Sequence, residues 1–203
     1  MKTPSTHVTW ATVLATVLMA GCASASVPSP VATGAGTATS VAVATASPAA
    51  AAPCATPTAQ PGGEVVASTA SIPTGSLPKV RFIPAGAPAV TLPLEVPPSC
   101  EYGIGLSGRT SLSDRGMLFY FPEPAEVPFW MVGTHIDLDI AFVDQGLTVL
   151  AVETMKAETR DYHRPATPYI AAIEAPAGWY AEHGVGAGAT VVFDFDLKAA
   201  TGR

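Results

Sequence analysis

An alternation of side chains with a period of two residues is the feature that most constrains how this chain can fold. It runs through residues 117–121 and again through residues 135–140. Because successive side chains of a strand point to opposite faces, the alternation predicts two half-buried β-strands. Pro122 and Pro124 lie between them, and proline cannot donate a ladder hydrogen bond. The centre of the chain is therefore predicted to be strand, loop and strand.

Further strands are predicted on both sides of this centre. Runs rich in β-branched and aromatic residues, bounded by turn residues, occur at residues 79–83, 89–96, 147–153, 169–174 and 191–197. Residues 178–183 are predicted to form one helical turn. About seven strands with so little helix indicate an all-β fold, a small single-domain β-barrel or sandwich.

The region before residue 79 has a different composition. Residues 22–78 consist almost entirely of Ala, Pro, Ser, Thr, Val and Gly, and Glu64 is their only charged residue. Such a segment buries too little apolar surface to offset the conformational entropy of ordering, roughly 1–2 kcal/mol per residue. We therefore predict a disordered linker over residues 22–78 and one β-rich domain over residues 79–203.

The first 21 residues have the pattern of an export signal. Lys2 and His7 precede an apolar run at residues 8–20, which is shorter than the roughly 20 residues of a membrane-spanning helix. The run ends in Leu-Met-Ala-Gly-Cys, which resembles the lipobox of bacterial lipoproteins. Cys22 is therefore predicted to carry palmitate and to anchor the protein on the outer face of the cell membrane. The alternative is an ordinary signal peptide cleaved after another Ala, such as Ala25.

Two further cysteines, Cys54 and Cys100, follow this predicted signal. An exported protein reaches a compartment where disulfides persist, so the two could pair and pin part of the linker onto the domain. The alternative is two free or separately modified thiols.

Short motifs distributed over residues 90–193 resemble a bacterial and archaeal family. They include Gly105-Leu106, Arg109-Thr110-Ser111-Leu112, Gly116-Met117-Leu118-Phe119, Phe129-Trp130-Met131, Leu138-Asp139-Ile140-Ala141-Phe142, Ile173-Glu174, and Gly184-Val185 with Gly188. In this order they are similar to the family called domain of unknown function 192. The resemblance implies a small β-rich domain, often behind a signal peptide, in a family without an established activity.

The chain departs from the family pattern at several positions. Val132 and Gly133 stand where the family tends to have Lys and Asn, Asp137 stands in place of Pro, and Ala189 stands in place of Asp. The resemblance therefore implies that a site built from that Lys, Asn or late Asp is absent or altered here.

His135, Asp137 and Asp139 form one candidate site. Residues at i, i+2 and i+4 of a strand share a face, and imidazole and carboxylate ligands suit zinc, manganese or nickel. The spacing thus suggests a site for one divalent transition metal. The simpler interpretation is a solvated strand face, because side chains two residues apart stand about 7 Å from each other.

Four residues are candidates for ligand binding, namely Arg109, Asp139, Glu174 and Trp179. Asp139 and Glu174 could instead be structural acceptors of backbone N–H or Arg109 hydrogen bonds, since a charge inside an apolar run is costly unless paired. Trp179 is predicted to be a surface aromatic residue, whereas Trp130 is predicted to belong to the core.

These patterns favour a non-enzymatic domain. The chain has no Gly-x-Ser-x-Gly nucleophile motif, and its net charge of −6 disfavours binding to nucleic acid. We expect a membrane-anchored extracytoplasmic lipoprotein whose domain binds a ligand or protein at the cell surface without a cofactor. The alternative is a metal-dependent or carboxylate-based hydrolase-type enzyme that uses His135, Asp137 and Asp139.

Overall fold

The structure, a computed structural model, describes residues 58–59 and 63–202. Its elements are mostly strands, which confirms the predicted all-β class. In chain order they are β1 (Thr58–Ala59), β2 (Val65–Val66), β3 (Lys79–Ile83), β4 (Val90–Glu95), β5 (Gly116–Ala125), β6 (Leu138–Val143), β7 (Val149–Met155), β8 (Tyr169–Pro176), α1 (Trp179–Glu182), β9 (Thr190–Phe193) and α2 (Leu197–Thr201). Three 3-10 turns, at Ser68–Ser71, Thr74–Ser76 and Ser99–Glu101, complete the description.

Seven strands form one curled sheet in the order β7-β6-β8-β5-β4-β3-β9. Neighbouring strands are antiparallel except for β4 and β5, which are parallel. Two hydrogen bonds tie the edge strands β7 and β9 together. The Val149 amide donates to the Ala189 carbonyl at 2.9 Å, and the Val191 amide donates to the Leu147 carbonyl at 2.8 Å. The sheet is therefore a half-barrel with tethered edges.

Both faces of the central strands β5, β6 and β8 are buried. The inside of the curl collects side chains from nearly every strand, including Phe82, Leu94, Leu118 and Ile173. The outer face is covered by connecting segments, whose residues Leu106, Leu112 and Met131 pack against Met117, Phe119, Ile140 and Phe142. A sheet covered on both sides explains why β6 is apolar at almost every position.

The loop predicted at Pro122 and Pro124 proved wrong, because β5 continues to Ala125. Its pairing with β8 shifts register between Tyr120 and Ala125. The prolines therefore lie where the hydrogen-bond ladder is interrupted, and their missing N–H groups cost no ladder bond.

The strand predicted from residue 135 begins later, at Leu138. His135 and Asp137 precede it, and the Asp137 carboxylate accepts a hydrogen bond from the Ala157 amide at 2.8 Å. This side-chain bond to the backbone replaces strand pairing at that point. Residues 135, 137 and 139 consequently do not share one strand face.

The strand predicted over residues 191–197 also ends early, at Phe193. The Asp196 carboxylate accepts a hydrogen bond from the Ala199 amide at 2.8 Å and caps α2. An Asp at this position stabilises a helix start, which local alternation could not reveal.

The folded domain begins before residue 79. Val66 and Ala67 are buried, the Ser68 amide donates to Glu101 at 2.8 Å, and the Thr69 hydroxyl donates to Glu95 at 2.9 Å. The small polar residues that suggested a linker here serve as hydrogen-bond donors to buried carboxylates. Residues 22–57 and 60–62 of the linker predicted over residues 22–78, the signal peptide and Cys22 lie outside the described residues.

Cys100 takes part in a disulfide bond. Cys54, the partner suggested by the sequence, lies outside the described residues, so this pairing stays a prediction. In the part of the chain that the structure describes, no helix is long and apolar enough to cross a bilayer.

Candidate ligand-binding cavity

A cavity of about 240 Å³ lies on the outer face of β5 and β8. The segment 102–106 forms one wall, and the segment 127–134 forms the other. Pockets for drug-sized ligands measure roughly 300–1,000 Å³, so this one suits a small molecule or a single chemical group. Its lining residues are Tyr102, Gly103, Ile104, Gly105, Leu106, Phe119, Phe121, Val127, Pro128, Phe129, Trp130, Val132, Thr134 and Glu174.

Glu174 reaches the cavity because of its register in the sheet. It pairs with Met117 of β5 and with Ile140 of β6, and both partners belong to the outer cluster. Strand pairs directly opposite each other share a face. The strands approach closely here, since a Cβ on Gly116 would lie 2.5 Å from the Glu174 carbonyl oxygen. The glycine therefore lets β5 pack against β8 beside the site.

The carboxyl group of Glu174 is buried, and one of its two oxygens makes no hydrogen bond to the described residues. The residue is 5% exposed, and its Oε2 atom has no hydrogen-bond partner among the described residues. Burial raises the pKa of this carboxyl from 4.5 to about 8, because a low-dielectric environment disfavours the charged form. At neutral pH the side chain is therefore mostly protonated.

Aromatic rings form the walls above this carboxyl. Tyr102 contacts Phe119 and Phe121 edge-on, with ring centroids 5.2 and 5.8 Å apart, and Phe129 lies 5.0 Å from Phe119. The Tyr102 hydroxyl donates to the Tyr120 carbonyl at 3.1 Å and accepts from its amide at 2.7 Å. Since β4 pairs with β5 only near residues 116–117, Tyr102 takes the place of a neighbouring strand and fixes this wall.

The opposite wall is tied to the strands by backbone contacts. The Tyr169 hydroxyl of β8 donates to the Val127 carbonyl at 2.5 Å. Phe129 and His163 exchange amide-to-carbonyl hydrogen bonds of 2.9 and 2.8 Å. The wall therefore has fixed supports at both its start and its centre.

A tight turn ends this wall at Gly133. Its φ is +75°, and a Cβ there would lie 2.8 Å from the Ser107 hydroxyl oxygen. The Gly133 carbonyl accepts hydrogen bonds from the Gly108 amide at 2.8 Å and from the Ser107 hydroxyl at 3.2 Å. The turn therefore joins the two walls, and the glycine is required both by its φ and by the close approach.

Exposed hydrophobic side chains surround the cavity mouth. Val127, Trp130 and Val132 line it and are exposed. Trp130 is 50% exposed and stacks on Tyr162, itself 68% exposed, with ring planes 17° apart. Exposed apolar side chains that cluster around a cavity are typical of binding sites.

The two tryptophans have exchanged their predicted places. Trp130, predicted to be core, lies at the cavity mouth. Trp179, predicted to be the surface aromatic residue, is half-buried at the inner core and contacts Phe82 and Tyr180. Trp179 therefore lies away from the residues that line the cavity.

The structure does not bring His135, Asp137 and Asp139 together. His135 contacts Glu64 at 2.6 Å and also contacts Glu158, and these two hydrogen bonds raise its pKa, with Glu64 the larger cause. Asp137 pairs with Lys156 at 2.7 Å, and its pKa is lowered first by the Ala157 amide and then by Lys156. Within the described residues, no group of three metal-ligating side chains is arranged to hold an ion.

Asp139 lies on the opposite face from Glu174. It pairs with Ala175, and its two carboxylate oxygens accept hydrogen bonds from the Thr154 hydroxyl and the Gly178 amide, both at 2.8 Å. These bonds connect β6 to β7 and to the start of α1. The residue has the environment of a structural acceptor.

Arg109 is held by an acid that the sequence had not suggested. Its guanidinium group makes two hydrogen bonds, of 3.1 and 3.0 Å, to the Glu95 carboxylate. Arg115 lies 3.5 Å from the same carboxylate, which is fully buried. Of the four candidate binding residues, Glu174 alone lines the aromatic cavity.

Two solved structures are similar to this domain. A candidate transcription regulator from Sinorhizobium meliloti 1021 has 28% sequence identity and a TM-score of 0.53, and the match covers 57% of this chain and 92% of the other. A protein of unknown function from Novosphingobium aromaticivorans DSM 12444 has 27% identity and a TM-score of 0.53, with coverage of 71% and 96%. No curated protein matches this chain.

A family model also matches the domain. Its description is DUF192, Uncharacterized ACR, and it matches residues 98–193. All residues that line the cavity fall within this range. The match thus supports the family that the sequence motifs suggested, and residues 98–193 resemble DUF192.

Proposed function

We propose that this chain is a membrane-anchored extracytoplasmic lipoprotein whose domain binds a small ligand, or one group of a larger partner, in the cavity above Glu174. The observation that carries the binding function is a buried carboxyl group that lines an aromatic cavity and has one oxygen without a hydrogen-bond partner among the described residues. Leaving a buried polar group unpaired costs roughly 1–3 kcal/mol, which a bound ligand can recover.

The surroundings of the cavity support binding over catalysis. The acidic and imidazole side chains of the alternative enzyme, His135, Asp137 and Asp139, are each engaged by a different partner. Metal-dependent hydrolysis would require them to converge on one point. A preformed aromatic cavity needs no such convergence to bind a ligand.

A role in binding DNA is not proposed, although one similar protein is described as a candidate regulator. The net charge of this chain is −6. Arg109, Arg115 and Lys156 are occupied by Glu95 and Asp137. Binding to a phosphate backbone needs clustered cations that are available to the nucleic acid.

Native mass spectrometry of the full protein, extracted from its host without removal of small molecules, tests the binding function. We expect a bound small molecule in the wild type, reduced occupancy in Trp130→Ala, and unchanged occupancy in Ile83→Ala. Ile83 is the matched control because it is an exposed hydrophobic residue of β3, away from the cavity. An unliganded wild-type mass, or equal occupancy in both variants, would contradict the proposal.

Membrane anchoring rests on the lipobox-like sequence before Cys22. Metabolic labelling with an alkyne analogue of palmitate should label the wild type, and Cys22→Ser should abolish both the label and membrane association. Labelling that persists in Cys22→Ser would refute the anchor while leaving the cavity untouched.

A further inference from the structure

We propose that the cavity takes an organic cation, a primary ammonium group on an apolar stem, and that Glu174 is its counter-ion. This inference rests on the proposed binding function and specifies the ligand class. The ammonium could belong to a free amine or to a lysine side chain, since both present the same chemistry.

The charge of the lining gives the first argument. Glu174 is its one acidic residue, and no Lys, Arg or His occurs among the described residues that line the cavity. An anionic ligand would bury its charge among side chains that offer no cation to pair with it, which is unfavourable at low dielectric. The ligand is therefore neutral or positive.

The aromatic walls favour the positive ligand. Tyr102, Phe119, Phe121, Phe129 and Trp130 all line the cavity. The faces of such rings attract a cation within about 6 Å, most strongly where water is excluded. An ammonium also supplies N–H donors to Glu174, whose Oε2 has no hydrogen-bond partner in the described part of the chain. A neutral ligand would provide the hydrogen bond but neither the opposite charge nor the cation–ring attraction.

Binding includes one proton transfer. In the unliganded protein burial raises the pKa of Glu174 to about 8, so at pH 7 the carboxyl carries its proton. When the ammonium enters, that proton leaves to solvent and the carboxylate pairs with the ligand. The ammonium keeps its own proton, because an amine of the lysine type ordinarily has a pKa of about 10.4. Net charge is conserved, with one proton released for each cation bound.

The other charged groups near Glu174 are engaged elsewhere. On the same face, Glu95 is paired with arginines, and Glu153 contacts His163 at 3.0 Å. On the inner side, the pKa of Tyr180 is raised well above its ordinary value, chiefly by burial. The paired Met117 and Ile140 do not titrate, so Glu174 is the group expected to govern binding between pH 6 and pH 9.

Calorimetric titration of the full protein with phenethylammonium and with its neutral isostere 2-phenylethanol tests this inference. We expect the ammonium to bind at least tenfold more tightly at pH 8. Its apparent affinity should rise about fifty-fold between pH 6 and pH 8 and level off by pH 9, following deprotonation of Glu174. Titrations in two buffers with different ionisation enthalpies should show release of nearly one proton at pH 7.

Two variants and their controls locate the effect. Glu174→Gln should remove the preference for the ammonium over the alcohol and also its pH dependence, whereas Glu153→Gln, on the same face but outside the lining, should keep both. Val132→Lys places an ammonium of the protein at the cavity mouth and should weaken binding of the probe at least tenfold. Ile83→Lys, which adds the same charge on β3, should leave it unchanged.

Each outcome decides a separate point. Equal affinity for the ammonium and the alcohol, or affinity for the ammonium that falls as the pH rises, would overturn the cation class while leaving a functional cavity. Failure of both probes to bind would overturn the cation class, and together with an unliganded native mass it would overturn the binding function. Binding of Nα-acetyl-lysine N-methylamide in preference to phenethylammonium would support the cation and identify a lysine side chain as its source.

Discussion

Two buried carboxyl groups on one face of the sheet have opposite surroundings. Glu95 and Glu174 both pair with Met117, from its two neighbouring strands. Glu95 accepts two hydrogen bonds from Arg109 and lies 3.5 Å from Arg115. Glu174 has an Oε2 atom without a hydrogen-bond partner among the described residues, and it lines a cavity.

The difference shows that burial alone does not determine what an acidic residue does. A carboxylate that accepts hydrogen bonds from guanidinium groups ties together the segments that supply them. A carboxyl group without such donors holds its proton and remains available to a ligand. Glu95 therefore joins segments of the fold, whereas Glu174, the residue proposed to bind a ligand, has an Oε2 atom without such a partner among the described residues.

The largest loss of stability is expected when Glu95, the buried acid paired with two arginines, is replaced. Glu95→Gln leaves two largely buried arginines without their counter-ion, and breaking such a pair costs about 3–5 kcal/mol of unfolding free energy. Urea denaturation at pH 7 measures the loss. The exposed pair of Glu126 with Arg164 supplies the control, because Glu126→Gln should cost at most about 1 kcal/mol. Similar losses for both variants would show that Glu95 stabilises the fold no more than an exposed ion pair does.

Glu174→Gln should have an effect that depends on pH. The pKa of Glu174 is about 8 in the folded protein against an ordinary value of 4.5. The contribution of the protonated carboxyl to the unfolding free energy is therefore fully present below pH 4.5 and is lost as the pH rises towards 8. Relative to Glu174→Gln, the unfolding free energy of the wild type should fall by about 3 kcal/mol between pH 5 and pH 7.5.

Urea denaturation of both proteins at several pH values in this range measures that change. The Glu153→Gln variant is the control, and its difference from the wild type should not follow the same profile. Parallel pH curves for the wild type and Glu174→Gln would show that the carboxyl has an ordinary environment.

Asp139→Asn tests the intermediate case, an acid satisfied by neutral donors. Asn can keep both contacts, since its oxygen can accept from the Gly178 amide while its NH₂ group donates to the Thr154 hydroxyl, but neither bond is then charge-assisted. Loss of the charge should cost about 1–2 kcal/mol in urea denaturation. Asp161→Asn, at an exposed position, should have almost no effect. If Asp139→Asn had as little effect on stability as Asp161→Asn, the charge of Asp139 would not contribute to stability.

The smallest effect is expected at His135, whose acidic partners are exposed. The Glu64 and Glu158 contacts raise its pKa above 6.5. Their stabilising contribution is therefore present below pH 6.5 and is lost as the pH rises through the raised value. NMR titration of the imidazole should show a lower pKa in Glu64→Gln and a smaller shift at high salt. An unchanged pKa in that variant would show that Glu64 does not hold His135 in solution.

Local patterns were sufficient to predict most of the strands. Residues 79–83 were predicted correctly as β3, because alternation and flanking turn residues are local properties. The continuation of β5 through Pro122 depends on where the ladder with β8 is interrupted. The parallel pairing of β4 with β5 likewise joins segments whose contact is set by the whole sheet. Such features depend on tertiary pairing and leave no local pattern.

The sequence indicated only part of the candidate cavity. Glu174, which lines it, was singled out because an acid inside an apolar run requires an explanation, and its role in binding stays a prediction. Trp130 was misplaced because its neighbours are apolar and its segment has no periodicity that would show which side faces solvent. The bond between Arg109 and Glu95 could not be inferred, since the two residues lie on different segments that meet only in the folded domain.

The most direct test of this account is a carbon-13 NMR titration of the Glu174 carboxyl group in the unliganded protein, with the resonance assigned by its loss in Glu174→Gln. The account predicts a pKa of about 8, caused by burial without a counter-ion. A pKa at or below the ordinary 4.5 would mean that the protein itself stabilises the carboxylate. That result would contradict both the contrast with Glu95 and the assignment of Glu174 as a counter-ion for a ligand.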